Sequence, residues 1–510
     1  MRVVQHPPPL WASLATCLIV TAACSHEAGT GPIPTQVVFT SQPSPLVQGN
    51  VVMAPPIQVT VRDASGNPLS GALVTLGAVA PLSLPGLQLS GTLTATTGVN
   101  GVASFANLRI NEPGEGYTLL AVSNTASGLS THFNVGLTFT AVGAGGLHTC
   151  GVTTGGIYCW GINLYGQIGS ALGLRVSSVP ILVPSAVQLT QLLGGEQHSC
   201  GLVVSGAVYC WGHNDVGELG DGVTNGPDQC PGAAFALPQC ALTPAQVIGS
   251  GASPLTFTAI SSGPIAIHTC GVTDVGALYC WGNDYNGTLG DGGNGIRPTP
   301  VQVTGSGAAP LVFTNVSVGD GNTCGVTTDH AVYCWGNSYG STLTKVMGSG
   351  VPPLTFTAVT ARRAHACGLT SDGAAYCWGS DSQGELGDSG TNASSIPVQV
   401  HGSGAAPRVF TSIDAGDLHT CAVTSAGAVY CWGFNNGGQL GDGTTTNRAT
   451  PVQVVGSGIS PLIFTTVTAG EAHTCGLTTS HAVYCWGYGL DGELGNGPLA
   501  NQLTPVPVVQ

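Results

Sequence analysis

His473–Gly487 reads HTCGLTTSHAVYCWG, and the same stretch occurs seven times along the chain. Its cysteine pairs are Cys150/Cys159, Cys200/Cys210, Cys270/Cys280, Cys324/Cys334, Cys367/Cys377, Cys421/Cys431 and Cys475/Cys485. Every second cysteine is followed by Trp-Gly, which places Trp160, Trp211, Trp281, Trp335, Trp378, Trp432 and Trp486; only Trp11 lies elsewhere. A motif that returns every 43 to 70 residues marks an array of like units.

Folded back on itself, the stretch is a β-hairpin. In the second copy Cys200 faces Cys210, Leu202 faces Val208 and Val203 faces Ala207, which leaves the loop Val204-Ser205-Gly206. Such three-residue loops need a left-handed third residue, and glycine supplies it without strain. Gly276, Gly373 and Gly427 stand in the same place, and His330 and His481 replace it. The first copy is one residue shorter, with a loop of Thr154-Gly155, yet its cysteines still oppose each other. Opposed residues in antiparallel strands have Cα atoms roughly 4.5–5.5 Å apart, within the reach of a disulfide.

Composition agrees with an all-β chain. Of 510 residues 78 are glycine and only 7% are charged, and turn signals are dense. The net charge is −14 and Lys345 is the only lysine. No basic stripe is present to meet phosphates, so neither nucleic acid nor an anionic membrane surface is an expected partner. Seven hairpins use fourteen of the 18 cysteines; Cys230 and Cys240 form the expected eighth pair, and Cys17 and Cys24 remain. No Cys-x-x-Cys spacing occurs. With an export signal present, disulfides are the expected state, and neither metal nor cofactor is expected.

Residues 1–23 read as an export signal, with an apolar run Leu10–Val20 and Ala22-Ala23 before Cys24. Thr21-Ala22-Ala23-Cys24 resembles a bacterial lipobox, in which the cysteine is lipidated and becomes the N-terminus; a plain secretory signal is the alternative. In that lipoprotein family Ser25 implies the outer membrane, and residues 24–35 read as the lipidated cysteine and a flexible tether. Residues 36–136 hold no cysteine or tryptophan and carry six strand-like runs: Gln36–Thr40, Ile57–Arg62, Leu73–Leu76, Gly101–Phe105, Tyr117–Val122 and His132–Val135. That density argues for a β-sandwich. VTVRDASGNPLSGALVTL followed by TTGVNGVASFANL resembles the bacterial immunoglobulin-like domains of invasin type, which in that family are mostly spacers.

Residues 137–510 form the array. The sixth unit shows four strands, at Val409–Ile413, His419–Val423, Val429–Gly433 and Pro451–Val454. Seven four-stranded units are expected to close as a seven-bladed β-propeller; an open solenoid would need polar caps that the end units lack. AGDLHTCAVTSAGAVYCWGFNNGGQLGDG (Ala415–Gly443) resembles the regulator of chromosome condensation repeat, whose domains are seven-bladed propellers. The resemblance covers about 370 residues and includes the His, the Trp-Gly and the Gly-x-Leu-Gly. The fourth unit departs from it: Asn322 replaces the histidine and the Gly-x-Leu-Gly-Asp-Gly block is missing. The paired cysteines resemble those of exported relatives.

Side chains alternate along a strand, so the histidine and cysteine of each copy share one face, and the tyrosine and tryptophan share the other. Each tryptophan is expected to fill the gap to the next unit and find its N–H acceptor there. His148, His198, His268, His365, His419 and His473 hold equivalent positions, too far apart to share one ion; hydrogen bonds to backbone are the expected role. Asp221, Asp291, Asp388 and Asp442 are expected to form turns, because no calcium-loop spacing surrounds them. Glu218, Glu385 and Glu493 stand where the family has glutamine, and nothing selects two of them as a catalytic pair. The insertion Asp221–Ala245 is irregular; with Asp221, Asp228 and Phe235 it is the candidate binding loop.

The expected function is that of a non-catalytic, monomeric cell-surface protein, lipid-anchored in the outer membrane or secreted, whose propeller binds an extracellular or surface protein. The resemblance also implies nucleotide exchange on a small GTPase or inhibition of a secreted β-lactamase. An export signal opposes the first, and nothing in the sequence selects the second. Two other readings are an adhesive envelope protein that binds glycan or neighbouring cells, and a hydrolase or lyase that works in the central funnel.

Overall fold

The second and third strands of every unit are the two arms of the cysteine hairpin, with the register set by the opposed cysteines: His473 pairs with Gly487, Cys475 with Cys485 and Leu477 with Val483. In the computed structural model the described residues are 32–509, except 50, 81–86, 112–113, 171–172, 233–238, 254, 308–310, 353, 364, 406–407 and 460–461. Residues 1–23, expected as an export signal, and Cys24 fall outside them.

Seven antiparallel four-stranded sheets follow one another along the chain, over residues 139–183, 191–246, 257–302, 313–345, 356–399, 410–453 and 464–507. We number these units 1 to 7. Each carries its hairpin disulfide between the two central strands: Cys150–Cys159, Cys200–Cys210, Cys270–Cys280, Cys324–Cys334, Cys367–Cys377, Cys421–Cys431 and Cys475–Cys485 in chain order. The insertion in unit 2 carries Cys230–Cys240. The loop glycine Gly206 has φ 81°, and His330 and His481 adopt φ 64° in the same place. Those two histidines are put to use there. Nδ1 of His330 lies 3.0 Å from the Phe356 carbonyl, and Nδ1 of His481 lies 3.1 Å from that of Phe139, each on the first strand of the following unit.

The sheets stack through one repeating contact. The disulfide face of a unit packs on the tryptophan of the unit that follows: Cys150 and Cys159 meet Trp211, Cys270 and Cys280 meet Trp335, Cys324 and Cys334 meet Trp378, and Cys367 and Cys377 meet Trp432. The tryptophan thus fills the gap to the preceding unit, opposite to the direction expected from alternation alone. Unit 7 meets unit 1 in the same way, with Cys475 and Cys485 against Trp160 and the Phe139 amide donating to the His481 carbonyl at 2.9 Å.

Before the array, two sheets share one apolar core that includes Val59, Val74, Phe105, Tyr117 and Phe133. One sheet holds Gln36–Ser41, Ile57–Arg62 and Val102–Phe105; the other is built on Leu73–Val79, Gly114–Ser123 and Phe133–Gly136. Short edge strands such as Leu46–Gln48, which pairs parallel to Phe133–Gly136, add to the six runs visible in the sequence.

Candidate interaction site

Three side-chain ties meet at the seam between successive units. The buried histidine of one unit reaches the hydroxyl of the residue just before the next unit's first hairpin cysteine: His148 Nε2 to Ser199 Oγ at 2.8 Å, His198 to Thr269 at 2.9 Å and His268 to Thr323 at 3.0 Å. His365 reaches Thr420, His419 reaches Thr474, and His473 reaches back to Thr149 at 2.8 Å. The partner is a hydroxyl and not backbone, which corrects the sequence expectation. At four of the six seams the hydroxyl in turn donates to a main-chain carbonyl of the Gly-x-Leu-Gly block: Ser199 to Gln167, Thr323 to Thr288, Thr474 to Gln439 at 3.0 Å and Thr149 to Glu493 at 3.0 Å. The next unit's indole N–H shares that carbonyl: Trp486 donates to Gln439 at 3.0 Å and Trp160 to Glu493 at 2.8 Å.

This geometry fixes the tautomer. A hydroxyl has one proton, and where it goes to the carbonyl, as at the seams of His148, His268, His419 and His473, histidine Nε2 must be the donor. Nδ1 is then a bare lone pair, and in His148, His198, His365, His419 and His473 it finds no hydrogen-bond partner among the described residues. Burial pushes these five imidazoles down to about 3, and His268 down to about 4. They are neutral connectors, unsuited to proton transfer near neutral pH.

The hairpin cysteines belong to the scaffold and not to any reactive site. Cys280, Cys334 and Cys377 are completely buried, each bonded across its hairpin to Cys270, Cys324 and Cys367. These three cysteines lie against Trp335, Trp378 and Trp432 of the following units. Cys324 alone of the six borders a cavity, at the seam between units 4 and 5.

The block's carboxylates each use one oxygen in their own turn, while Oε1 of Glu385 and of Glu493 is buried without a hydrogen-bond partner among the described residues. Glu218, Glu385 and Glu493 each accept a turn amide two residues upstream, at 3.1, 2.7 and 3.0 Å. Gln167 and Gln439 do the same in units 1 and 6. Burial raises Glu493 to about 8, which makes it a neutral stand-in for glutamine. The aspartates sit in turns: Asp291 accepts from Gly293 and pairs with Arg297 at 2.7 Å, Asp388 accepts from Gly390, and Asp442 accepts from Thr444 and pairs with Arg448 at 2.7 Å.

Around the axis, first strands of successive units face each other across a cavity of about 280 Å³. Side chains there take the next unit's amides: Ser261 from Val318, Ser317 from Ala361, Thr360 from Ala415, Asp414 from Ala469 and Thr468 from Ala144. Arg362, buried, pairs with Asp414 at 2.6 Å inside this cavity. At one end of the axis the loops two residues before the histidine, or before Asn322 in unit 4, carry Glu196, Asp320, Arg363, Asp417 and Glu471 in units 2, 4, 5, 6 and 7. Burial, and after it the neighbouring carboxylates, raises Glu196 and Glu471; burial also raises Asp417, against the opposing Arg363. Asp320 and Arg363 stand 3.7 Å apart. The result is a partly buried acidic rim with one exposed guanidinium in it.

In the insertion, Asp221 accepts from Asn214 at 3.1 Å, and Asp228 accepts the Leu242 amide at 3.0 Å. Both carboxylates therefore hold the loop to its own unit, while Phe235 lies outside the described residues. Beside the loop, His213 Nδ1 stands 3.3 Å from Asp215 and 3.4 Å from Glu218, the one trio of side chains among the described residues with metal-ligand types this close. Burial works to lower His213, but Glu218 and Asp215 outweigh it and hold it above its ordinary value. Sequence reasoning missed this trio, the axial Arg362 and the acidic rim. The rim could have been found by aligning the residue two before each histidine.

Two family models of the regulator of chromosome condensation (RCC1) repeat match the array. One covers residues 275–326, 372–423 and 426–477; the other covers 139–167, 194–218, 313–340, 357–385, 410–439 and 464–493. The ultraviolet-B receptor UVR8 of Arabidopsis thaliana is 28% identical over 369 residues, which is 72% of this chain and 68% of that protein. The E3 ubiquitin-protein ligase HERC2 of Homo sapiens is 27% identical over 356 residues, 68% of this chain but only 7% of that protein. Among solved structures, human WBSCR16 matches with a TM-score of 0.58 at 19% identity, over 70% of this chain and 92% of that one. Yeast RCC1 (Prp20), solved with Kap60 bound to it, matches with a TM-score of 0.59 at 20% identity, over 72% of this chain and 85% of that one. Both structural likenesses are likenesses of fold.

Proposed function

Because the chain belongs to the RCC1 repeat family and shares the fold of its propellers, we propose that it is a non-catalytic interaction scaffold: a closed seven-bladed propeller, residues 137–510, that binds a protein through its acidic axial rim. The observation that carries this reading is where the reactive side chains are. Six histidines and the block's glutamates are buried and hydrogen-bonded between or within units. What faces outward at the axis is fixed charge on rigid loops, which selects partners and steers them without making or breaking bonds. The fitting partner is a protein with a basic patch.

The rest of the proposal concerns place. Export through residues 1–23, a lipid on Cys24 and an immunoglobulin-like spacer over residues 36–136 would hold the propeller away from an outer membrane, where its hairpin disulfides persist. Crosslinking on intact cells followed by mass spectrometry tests both halves. The expected result is capture of one protein, weakened at least tenfold when Asp320, Asp417 and Glu471 are changed together to Asn, Asn and Gln. Unchanged capture by that variant, or turnover on an ester and glycan panel that Arg362→Met abolishes, would overturn the reading.

A further inference from the structure

One seam differs from the other six in three ways at once. Between units 4 and 5, Asn322 replaces the histidine, Ala366 replaces the hydroxyl residue, and unit 4 has no Gly-x-Leu-Gly block. These are the three partners that meet at every other seam. Lacking a block carbonyl, Trp378 donates its indole proton to the Tyr339 hydroxyl at 3.0 Å. Elsewhere the acceptor is the block: Gln167, Glu218, Thr288, Glu385, Gln439 or Glu493.

The missing block leaves space. A cavity of about 330 Å³ opens here, lined by Asn322, Tyr339, His365, Ala366, Trp378 and Ser395 among others. Its position matches the block's place in the other units. Blocks lie against the next unit's tryptophan and fourth strand, as Gly387 and Gly384 of unit 5 lie against Trp432 and Ala449 of unit 6. Each block also buries one aliphatic side chain completely: Ile168, Leu219, Leu289, Leu386, Leu440 and Leu494 are 0–1% exposed. The cavity therefore has an indole wall, a fourth-strand wall at Ser395, and a phenol that accepts from Trp378 and whose own proton meets no acceptor among the described residues.

We infer that this open seam is a binding slot for a short polypeptide turn that carries one aliphatic side chain and offers a main-chain carbonyl to the Tyr339 hydroxyl. Six filled seams define the occupant's chemistry, because the Trp378 indole and the fourth strand are walls of the kind that hold Gly-x-Leu-Gly elsewhere, while Asn322, Ala366 and the Tyr339 ring are particular to this slot. The inference rests on the scaffold reading only in taking the occupant to be part of a protein.

The test uses a synthetic peptide with the sequence of residues 382–388, Ser-Gln-Gly-Glu-Leu-Gly-Asp, and the full oxidised chain. Titration is followed at the Trp378 indole N–H by NMR, assigned with Trp378→Phe. The expected result is a saturable shift of that resonance. Replacing the peptide's leucine with serine should weaken binding about tenfold or more, the loss expected for one buried aliphatic side chain. Ser395→Trp, at an exposed position on the rim of the slot, should block it while leaving the melting temperature within a few degrees of wild type. Tyr339→Phe should weaken binding without closing the slot. No saturable shift at millimolar peptide, equal binding of the serine peptide, or full binding by folded Ser395→Trp would each overturn the slot. Cellular capture that is lost in the rim variant but kept in Ser395→Trp would overturn the slot and leave the scaffold intact.

Discussion

Acid should unfold this protein well above the pH at which carboxylates protonate, because of the histidine ring. His148, His198, His365, His419 and His473 are held down to about 3 and His268 down to about 4, from an ordinary 6.5. The sign follows from linkage: a group depressed in the folded state binds protons only when unfolded, so stability falls as pH drops below 6.5 and keeps falling toward 3. At pH 5.5 each unfolded histidine carries about 0.9 proton and its folded counterpart almost none. Glu493, raised to about 8, works in the opposite sense and offsets about one proton. Asp284 and Asp381, raised to about 6 by burial, act in the same opposing direction. Glu196, Asp417 and Glu471, also raised, oppose the uptake further, so the net uptake on unfolding at pH 5.5 is at most about 3 protons, a loss of up to about 4 kcal/mol for each pH unit. Denaturant unfolding at pH 7.5, 6.5 and 5.5, followed by tryptophan fluorescence, reads this slope directly. His419→Asn, which copies what unit 4 has at Asn322, should lower the slope by about 1.2 kcal/mol per pH unit. Stability that is flat from pH 6.5 to 5.5, or seam imidazoles that titrate near 6.5 in the folded chain, would refute the reasoning.

Other outcomes follow from the same contacts. Thiol titration of the denatured, unreduced chain should find the sixteen paired cysteines blocked, and the double variant Cys200→Ser/Cys210→Ser should lose about 2–3 kcal/mol of stability. Gly441→Ala should cost more than Gly497→Ala, although both glycines have positive φ. A Cβ at Gly441 would sit 2.8 Å from the Trp486 indole nitrogen, whereas Gly497 has nothing within 4 Å. Thermal melts of the two variants should differ in that order, with Gly497→Ala costing about 1 kcal/mol from backbone strain alone.

The hairpin register was readable because a disulfide fixes which residues oppose, and one slipped residue would have broken all seven copies together. Strand count per unit followed from the repeat itself. The direction of stacking was not readable: alternation says that Trp and Cys lie on opposite faces, but not which neighbour each face meets. The hydroxyl partner of the histidines had a visible signal that went unused. Ser199, Thr269, Thr323, Thr420, Thr474 and Thr149 precede the first hairpin cysteine, and Ala366 takes that place only after the unit whose histidine is Asn322. That paired exception is what a contact between neighbouring units leaves in a repeat sequence. In the insertion, acidic residues looked available for a ligand; Asp228 is instead taken by the Leu242 amide, a contact no spacing rule foretells.

The ring's incomplete seam raises the question of what replaces its lost ties, and the answer lies at the axis. Three residues before the histidine, units 1, 2, 4, 6 and 7 have glycine (Gly145, Gly195, Gly319, Gly416 and Gly470), whereas unit 5 has Arg362. Its guanidinium donates back to the Val318 carbonyl of unit 4 at 3.3 Å and forward to the Ala415 carbonyl and Asp414 of unit 6. One cation thus clamps three units where the outer clasp is missing. Asn322 adds a lesser tie, donating to the Arg363 carbonyl at 3.2 Å. Arg362→Met keeps much of the side chain's bulk but removes the cation from the half-buried Asp414, which retains its bonds from Thr360, Ala415 and Ala469. The change is expected to cost about 1.5–3 kcal/mol, the worth of a hydrogen bond to a charged group. The double variant Arg362→Met/Asp414→Asn should recover part of that loss. Hydrogen exchange should show the extra opening of the single variant concentrated in strands Phe313–Val318, Phe356–Ala361 and Phe410–Ala415. If the single variant melts like wild type, or its added exchange is spread evenly over all seven units, Arg362 is not the clamp and the weak seam must be held by its two axial ties from Asn315 to Val359 and from Ser317 to Ala361.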